Sequence, residues 1–148
     1  MGRYGYTRTA RTEAPVEKVW SLVGQASRWK EWSFLTRSGT VTDGDPAPDG
    51  VGALRRFTRL GIGSTEEVVL WSPPDHLGYT IVRGFPVRHY RADITLTPNA
   101  GGGTTINWVG SFDPLVPGTG PTLRWVLNRL IGNFATSVAR YADRRTSG

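Results

Sequence analysis

The sequence has no cysteine among its 148 residues, and its two histidines are His76 and His89. Without cysteine, the chain cannot form disulfide bonds, use a thiolate as a nucleophile or bind a metal through sulfur. The low histidine content also argues against a Ser-His-Asp triad and against a histidine-rich metal centre. We therefore expect neither a metal nor another cofactor.

Long apolar runs are missing as well. No stretch approaches the roughly 20 apolar residues that a membrane-spanning helix needs. The N-terminus is polar, carries arginines and has no signal-peptide core. A length of 148 residues is typical of one domain. We therefore expect a single cytoplasmic domain, residues 1–148, and leave its oligomeric state, monomer or dimer, open.

Lysine is scarce too, because all but Lys18 and Lys30 of the 18 basic residues are arginines, and the formal net charge is +6. The arginines are spread along the chain and never form a run longer than two residues. The short helical stretches 16–23 and 26–32 could form a helix-turn-helix, but no basic recognition helix follows them. This distribution indicates a charged, solvated surface, so no nucleic-acid partner is expected.

The residues from Pro121 to Arg145 form the strongest periodic pattern of the chain. Apolar side chains recur there at gaps of three and four, which places one apolar stripe along a helix. A helix of roughly 35 Å needs a large partner surface, and the middle of the chain offers only strands. The stripe consists of Leu123, Val126, Leu127, Leu130, Ile131, Phe134, Val138 and Tyr141.

Period-two alternation, bounded by turns rich in glycine, proline and asparagine, predicts seven strands. The alternation is clearest in 88–97, where Tyr90, Ala92 and Ile94 share one face. Tight turns between consecutive strands indicate an antiparallel sheet and an α+β fold. The predicted strands are 3–12, 36–42, 52–60, 64–71, 77–83, 88–97 and 104–112.

A strongly bent sheet leaves space between its concave face and the helix, and that space holds either large side chains or a ligand. Core packing alone explains most of the large inward side chains. Gly132, inside the predicted helix, needs a packing reason, which either close approach of the sheet or a ligand supplies. The predicted inward aromatic residues are Tyr79, Tyr90, Trp108, Phe112, Trp125 and Phe134.

Several short segments, in this order and spacing, resemble the START/Bet v 1-like (SRPBCC) helix-grip superfamily, in particular its polyketide cyclase/dehydrase and lipid-transport group. The resemblance covers nearly the whole chain. It implies a seven-stranded antiparallel sheet curved around a long C-terminal helix, with two short helices after the first strand. It also implies an internal hydrophobic cavity for a lipid, a polyketide or a similar molecule. The segments are 14–20, 29–32, 52–57, 66–68, 73–74, 77–79, 87–90 and 102–108.

Plant abscisic-acid receptors are similar to this chain in two places. The segment 64–66 resembles their strand with a pocket glutamate, and 84–90 resembles the loop and strand start with a pocket tyrosine. Their latch motif is not matched in 84–87. The resemblance therefore implies that Glu66 and Tyr90 are cavity residues, without implying receptor signalling.

The facing of Glu66 is not decided by periodicity. If Glu66 faces inward, so do Val68 and Leu70, whereas the opposite parity buries Glu67 with Val69 and Trp71. The resemblance favours Glu66. A buried carboxylate needs a partner, and Arg55 or Arg83 could supply one. The pair is then either a structural ion pair within the sheet or a polar anchor for a ligand.

Two functions follow from these residues. The first is a binding module that sequesters or carries a hydrophobic small molecule. The second is a cyclase or dehydratase acting on a poly-β-keto chain, in which Glu66 with Arg55 or Tyr90 transfers protons. The absence of a strong acid–base constellation favours binding. The predicted ligand-binding residues are Arg55, Glu66, Val68, Tyr79, Ile81, Tyr90, Ala92, Trp108, Phe112, Trp125 and Asn128.

Overall fold

The computed structural model describes residues 3–147, and the side chains of residues 3–144. All predicted strands and helices are present, with bounds within two residues of those expected. In chain order they are β1 (Tyr4–Thr12), α1 (Val16–Gly24), a 3₁₀ turn (Ala26–Arg28) that continues into α2 (Trp29–Trp32), β2 (Arg37–Thr42), β3 (Leu54–Arg59), β4 (Ile62–Ser72), β5 (His76–Arg83), β6 (Val87–Pro98), β7 (Thr104–Pro114) and α3 (Gly120–Ser147).

The strands form one antiparallel sheet in the order β1-β7-β6-β5-β4-β3-β2. Consecutive strands from β2 to β7 are neighbours, and β1 pairs with β7. Helix α3 packs on the sheet against β1 and β7, and it also contacts α1 and α2. The predicted α+β helix-grip architecture is therefore confirmed, with the core between the sheet and α3.

Strands β6 and β7 supply the most regular part of the core. Ala92, Ile94 and Leu96 are buried on β6, while the residues between them are more exposed. On β7, Ile106 and Trp108 are buried in the same way. This alternation follows from the two-residue period of a strand with one face on the core.

Strand β4 departs from simple alternation. Val68 pairs with Tyr79 but Leu70 pairs with Gly78, so two residues of β4 oppose one residue of β5. Such a bulge reverses which side chains face the core. The expectation that Leu70 faces inward and Trp71 outward is therefore wrong, because the Trp71 ring packs 5.0 Å from that of Trp20 in α1.

Helix α3 buries most of its predicted apolar stripe, including Leu127, Ile131 and Val138. Trp125 does not belong to this face, since 63% of its surface is exposed. It lies two residues from the buried Leu123 and Leu127, a rotation of roughly 200° around a helix. No helix among residues 3–147 combines the length and apolarity that crossing a membrane requires.

Gly132 allows a strand side chain to lie directly on α3. A Cβ atom at this position would come within 2.5 Å of Nη2 of Arg8 in β1. Gly132 does not line the cavity described below. The contact at this glycine is therefore with the Arg8 side chain and not with a ligand cavity.

Candidate ligand cavity between the sheet and the long helix

A cavity of about 380 Å³ opens between the sheet and α3. This volume lies within the range of small-molecule sites, which are mostly apolar with a few polar groups. The polar residues of the lining include Arg59, Ser64, Glu66, Tyr79 and Tyr90. The apolar lining includes Trp29, Phe57, Ile81, Leu127, Ile131 and Phe134.

The exposed lining residues of the cavity lie in the β3–β4 hairpin, the loop before β2 and the β5–β6 loop. Ile62 is 82% exposed and Phe34 is 41% exposed, although both line the cavity. Arg59 crosses this side, with its guanidinium 5.8 Å from the Phe34 ring and its Nη1 donating to the Phe34 carbonyl oxygen at 2.6 Å. Apolar side chains and the cationic Arg59 thus lie together on the open side of the cavity.

Glu66 faces the cavity and forms an ion pair with Arg55. The β3–β4 register places the two residues directly opposite each other, and Nη2 of Arg55 donates to Oε1 of Glu66 at 2.8 Å. Arg55 is completely buried and Glu66 is 7% exposed. Glu66, which the resemblance favours over Glu67, therefore lies at the cavity, and its partner is Arg55 rather than the exposed Arg83.

Aromatic rings enclose the Arg55 guanidinium. Its central carbon lies 5.1 Å from the ring centres of Phe57 and Tyr79 and 5.3 Å from that of Trp29. Its Nε and Nη1 atoms are buried and have no hydrogen-bond partner. Cation–π contacts therefore replace part of the hydration that this charge loses.

Burial raises the pKa of the Glu66 carboxyl, and Arg55 opposes that rise through its charge and hydrogen bond. Because the pKa in the folded state exceeds that in the unfolded state, the folded protein binds the proton more tightly. The contribution of Glu66 to stability is therefore complete below the unfolded pKa and is lost as pH rises through the folded pKa. A carboxyl with a raised pKa inside a cavity suits proton transfer.

Three tyrosine hydroxyls meet beside this ion pair, and we call Tyr6, Tyr79 and Tyr90 the tyrosine cluster. The Tyr6 and Tyr90 hydroxyls are hydrogen bonded, and Nε1 of Trp108 donates to the Tyr79 hydroxyl at 3.0 Å. Burial raises the pKa of all three phenols, so they remain protonated at neutral pH. Tyr79 and Tyr90 line the cavity.

Tyr6 was not among the predicted site residues. It reaches the cluster because its β1 position pairs with Gly110 of β7, where a Cβ atom would collide with the Tyr6 ring. A tyrosine opposite a glycine is a recognisable packing signal. The signal becomes visible only once β1 is known to pair with the distant β7.

The structure divides the predicted ligand-binding residues into three groups. Glu66, Tyr79, Ile81 and Tyr90 line the cavity. Trp125 and Asn128 instead face a groove beside β1, which corrects their placement at the cavity. The buried residues behind the lining are Arg55, Val68, Ala92, Trp108 and Phe112.

The histidines lie outside the cavity. Nε2 of His76 is 2.7 Å from Oδ1 of Asp93, and Nδ1 of His89 is 2.9 Å from Oδ2 of Asp113. Each forms a pair with one carboxylate. Across residues 3–144, the structure contains no cluster of three acidic or histidine side chains suited to a metal ion.

Comparison with known proteins identifies both a sequence family and the fold. The family model for polyketide cyclase/dehydrase and lipid transport matches residues 5–143, which run from β1 into α3. A search of curated proteins found no significant match. The family assignment therefore rests on a match over most of the chain.

Solved structures show the same architecture. A START superfamily protein from Mycobacterium smegmatis is 11% identical, with a TM-score of 0.79 over 95% of this chain and 98% of that one. The protein XoxI from Bacillus cereus is 16% identical, with a TM-score of 0.77 over 93% and 94%. A Thermobifida fusca protein is 27% identical, with a TM-score of 0.75 over 95% and 91%. The START-like fold is thereby confirmed.

Proposed function

Because the chain belongs to the polyketide cyclase/dehydrase and lipid-transport family, we propose that it binds or carries a hydrophobic small molecule, such as a lipid or a polyketide. The observation that carries this proposal is the cavity of about 380 Å³ between the sheet and α3. Its apolar lining favours an apolar ligand body, since buried apolar surface contributes about 25 cal/mol per Å² before the costs of binding. Glu66 and the tyrosine cluster orient a polar group of the ligand.

A substitution that fills the cavity tests this proposal. Ile81 lines the cavity, whereas its neighbour Val82 is 46% exposed. We expect a ligand to co-purify with the wild-type protein. Ile81→Trp should weaken binding of that ligand by about tenfold or more, because the larger side chain occupies space that the ligand needs. Val82→Trp places the same side chain in solvent and should leave affinity unchanged.

Native mass spectrometry of protein purified from its own cells supplies the measurement. The expected spectrum shows an added apolar mass that is lost on denaturation, and occupancy that falls in Ile81→Trp alone. Equal occupancy in Ile81→Trp and Val82→Trp would place the ligand elsewhere. An empty wild-type protein that also fails to take up added lipids or aromatic ketones would overturn the proposal.

The second candidate function is a polyketide cyclase or dehydratase. The observation that favours it is the raised pKa of Glu66 in a cavity that also presents tyrosine hydroxyls. In this scheme the Glu66 carboxylate removes a proton between two carbonyl groups, and the tyrosines hydrogen bond to the enolate oxygen. The enolate carbon then attacks another carbonyl carbon of the same chain. The protonated Glu66 returns the proton to the oxygen of that attacked carbonyl. Arg55 positions the carboxylate.

Replacing Glu66 with glutamine distinguishes binding from catalysis. The amide keeps the shape of the side chain but does not act as a base, so we expect turnover of a poly-β-keto substrate to fall by about 100-fold or more. Affinity for a neutral ligand should stay within about threefold. Glu67→Gln, on the other side of β4, is the matched control. Unchanged turnover in Glu66→Gln would exclude Glu66 as the base.

A further inference from the structure

The turn between β3 and β4 carries a leucine that folding does not explain. Leu60 and Gly61 form a two-residue turn between the paired Arg59 and Ile62, and their φ angles are 53° and 86°. A turn of this kind favours Asn-Gly, because leucine adopts the left-handed region only at a cost. Leu60 and Ile62 are 78% and 82% exposed, the highest fractions among the large hydrophobic side chains of residues 3–144. Neither the turn geometry nor core packing therefore accounts for Leu60.

The loop before β2 holds this turn in place. The backbone N–H of Leu60 donates to Oγ1 of Thr36 at 2.9 Å, and the backbone N–H of Thr36 donates to the Thr58 carbonyl oxygen at 2.9 Å. The contacts of Arg59 with Phe34 join the same two segments. We call Phe34, Leu60 and Ile62 the apolar tip. Because its backbone is already ordered, the apolar tip can meet a partner at a low entropic cost.

Unpaired arginines surround the apolar tip. Arg37 begins β2 and Arg83 ends β5, so in an antiparallel sheet both lie at the same end as the β3–β4 turn. Both are exposed, as is Arg59. None of the ion pairs within residues 3–144 includes Arg37, Arg59 or Arg83. These three positive charges therefore remain available to an anionic partner.

The two ends of the sheet differ in charge. The segments 33–37, 56–65 and 81–88 contain five arginines and no aspartate or glutamate. The β2–β3 and β4–β5 connections lie at the opposite end and contain no arginine or lysine. The acidic residues of those connections are Asp43, Asp45, Asp49 and Asp75. An anionic surface would therefore orient the protein with the apolar tip towards it.

A membrane surface with anionic headgroups fits this arrangement. Exposed apolar side chains can enter the lipid, while arginine stems extend along them and the guanidinium groups reach lipid phosphates. A second copy of this chain would instead bring the same arginines into contact, and like charges repel. An acidic protein would neutralise the arginines but would need a pocket shaped for a projecting turn. A fluid bilayer accommodates such a turn without a preformed pocket.

We infer that the apolar tip docks on an anionic membrane surface, with Leu60 and Ile62 inserted among the headgroups and the three arginines on lipid phosphates. This inference goes beyond the proposed function, because it concerns a surface outside the cavity and holds whatever the cavity binds. Phe34 and Ile62 also line the cavity. Docking therefore turns these lining residues towards the bilayer.

Vesicle sedimentation tests the insertion of the apolar tip with the intact protein. Phosphatidylcholine vesicles that contain about 30% phosphatidylserine should bind the protein at least about tenfold more tightly than vesicles without it. Leu60→Asn suits the turn, so the variant should fold, but it should weaken vesicle binding about fivefold. Val109→Asn removes an exposed apolar side chain from β7 and should leave vesicle binding unchanged.

A second pair of variants tests the charges. Arg37→Gln/Arg83→Gln should weaken binding to the anionic vesicles by about tenfold or more. Arg11→Gln/Arg140→Gln lowers the net charge equally, but it removes exposed arginines near the far ends of β1 and α3, so the loss should be much smaller. Salt at about 0.5 M should weaken wild-type binding, because it screens the arginines.

The lack of cysteine allows one label to report the docked end. An environment-sensitive fluorophore on Leu60→Cys should shift its emission to the blue when anionic vesicles are added, since it enters a less polar medium. The same label on Asp75→Cys, at the opposite end of the sheet, should not shift.

The outcomes separate this inference from the proposed function. Absence of binding to anionic vesicles, equal binding of Leu60→Asn and wild type, or equal shifts of the two labels would overturn the inference alone. Binding of soluble polyglutamate as tight as that of vesicles would indicate an acidic protein partner and would also overturn it. Ile81→Trp, which fills the cavity, should bind vesicles as the wild type does, so ligand binding and docking are measured independently.

Discussion

Replacing Arg55 with methionine is expected to lower the free energy of unfolding by about 3–5 kcal/mol, because it leaves Glu66 buried without its partner. Arg55 is fully buried, and its contacts with three aromatic rings are lost together with the ion pair. Urea denaturation of the variant and the wild type measures the difference. Arg56→Met is the matched control, since Arg56 is exposed on the other side of β3 and should matter little.

The pH dependence of that loss identifies its cause. Without Arg55, the pKa of Glu66 rises further, so the buried carboxyl is tolerated in its neutral form at low pH but is costly in its charged form at high pH. The variant should therefore lose more stability at the higher pH. The double variant Arg55→Met/Glu66→Leu should recover most of the loss. A loss in Arg55→Met that is independent of pH and persists in the double variant would point to packing instead of charge.

Replacing Phe134 with alanine is expected to reduce stability by about 3 kcal/mol and to enlarge the cavity. The Phe134 ring lies 5.7 Å from Trp29, 5.4 Å from Phe34 and 6.1 Å from Trp108, measured between ring centres. Removing it creates space that the surrounding rings only partly fill. Affinity should shift from bicyclic towards tricyclic aromatic ketones, which calorimetric titration can measure.

Trp125→Ala provides the comparison on the same helix. Trp125 is 63% exposed and its described ring contact is with Arg129, so its removal should cost less than about 1 kcal/mol. It should not change the preferred ligand size. If both variants lost similar stability, or if Phe134→Ala kept the wild-type size preference, the placement of the cavity beside Phe134 would be wrong.

Much of the fold could be read from the sequence, because it depends on local periodicity. The two-residue alternation of β6 and the three- and four-residue spacing of α3 each report directly on one buried face. The ion pair was also accessible, since Arg55 and Glu66 lie at mirrored positions about the β3–β4 turn. The resemblance then selected Glu66 over Glu67.

The remaining features depend on contacts that local patterns do not encode. The bulge between Val68 and Leu70 reverses which side chains of β4 face the core, and no turn residue marks its position in the sequence. Tyr6 joins the tyrosine cluster only because β1 pairs with β7, a strand that is distant in the sequence. Trp125 was placed at the cavity as a large aromatic residue, although its position in the helical period puts it on the outer face. For Trp125, the position in the helical period predicts the facing of the side chain better than the size of the side chain does.

The pairing of β1 with β7 joins two segments that are far apart in the sequence. Residues 4–12 have no sheet partner until residues 104–114 are available. Strands β2 to β7 can form successive hairpins earlier, at a low cost in loop closure. The Tyr6–Tyr90 contact spans 84 positions of sequence and requires this last pairing. The tyrosine cluster is thus complete only when the sheet pairs with its first strand, so the polar groups beside the cavity depend on the pairing of greatest sequence separation in the sheet.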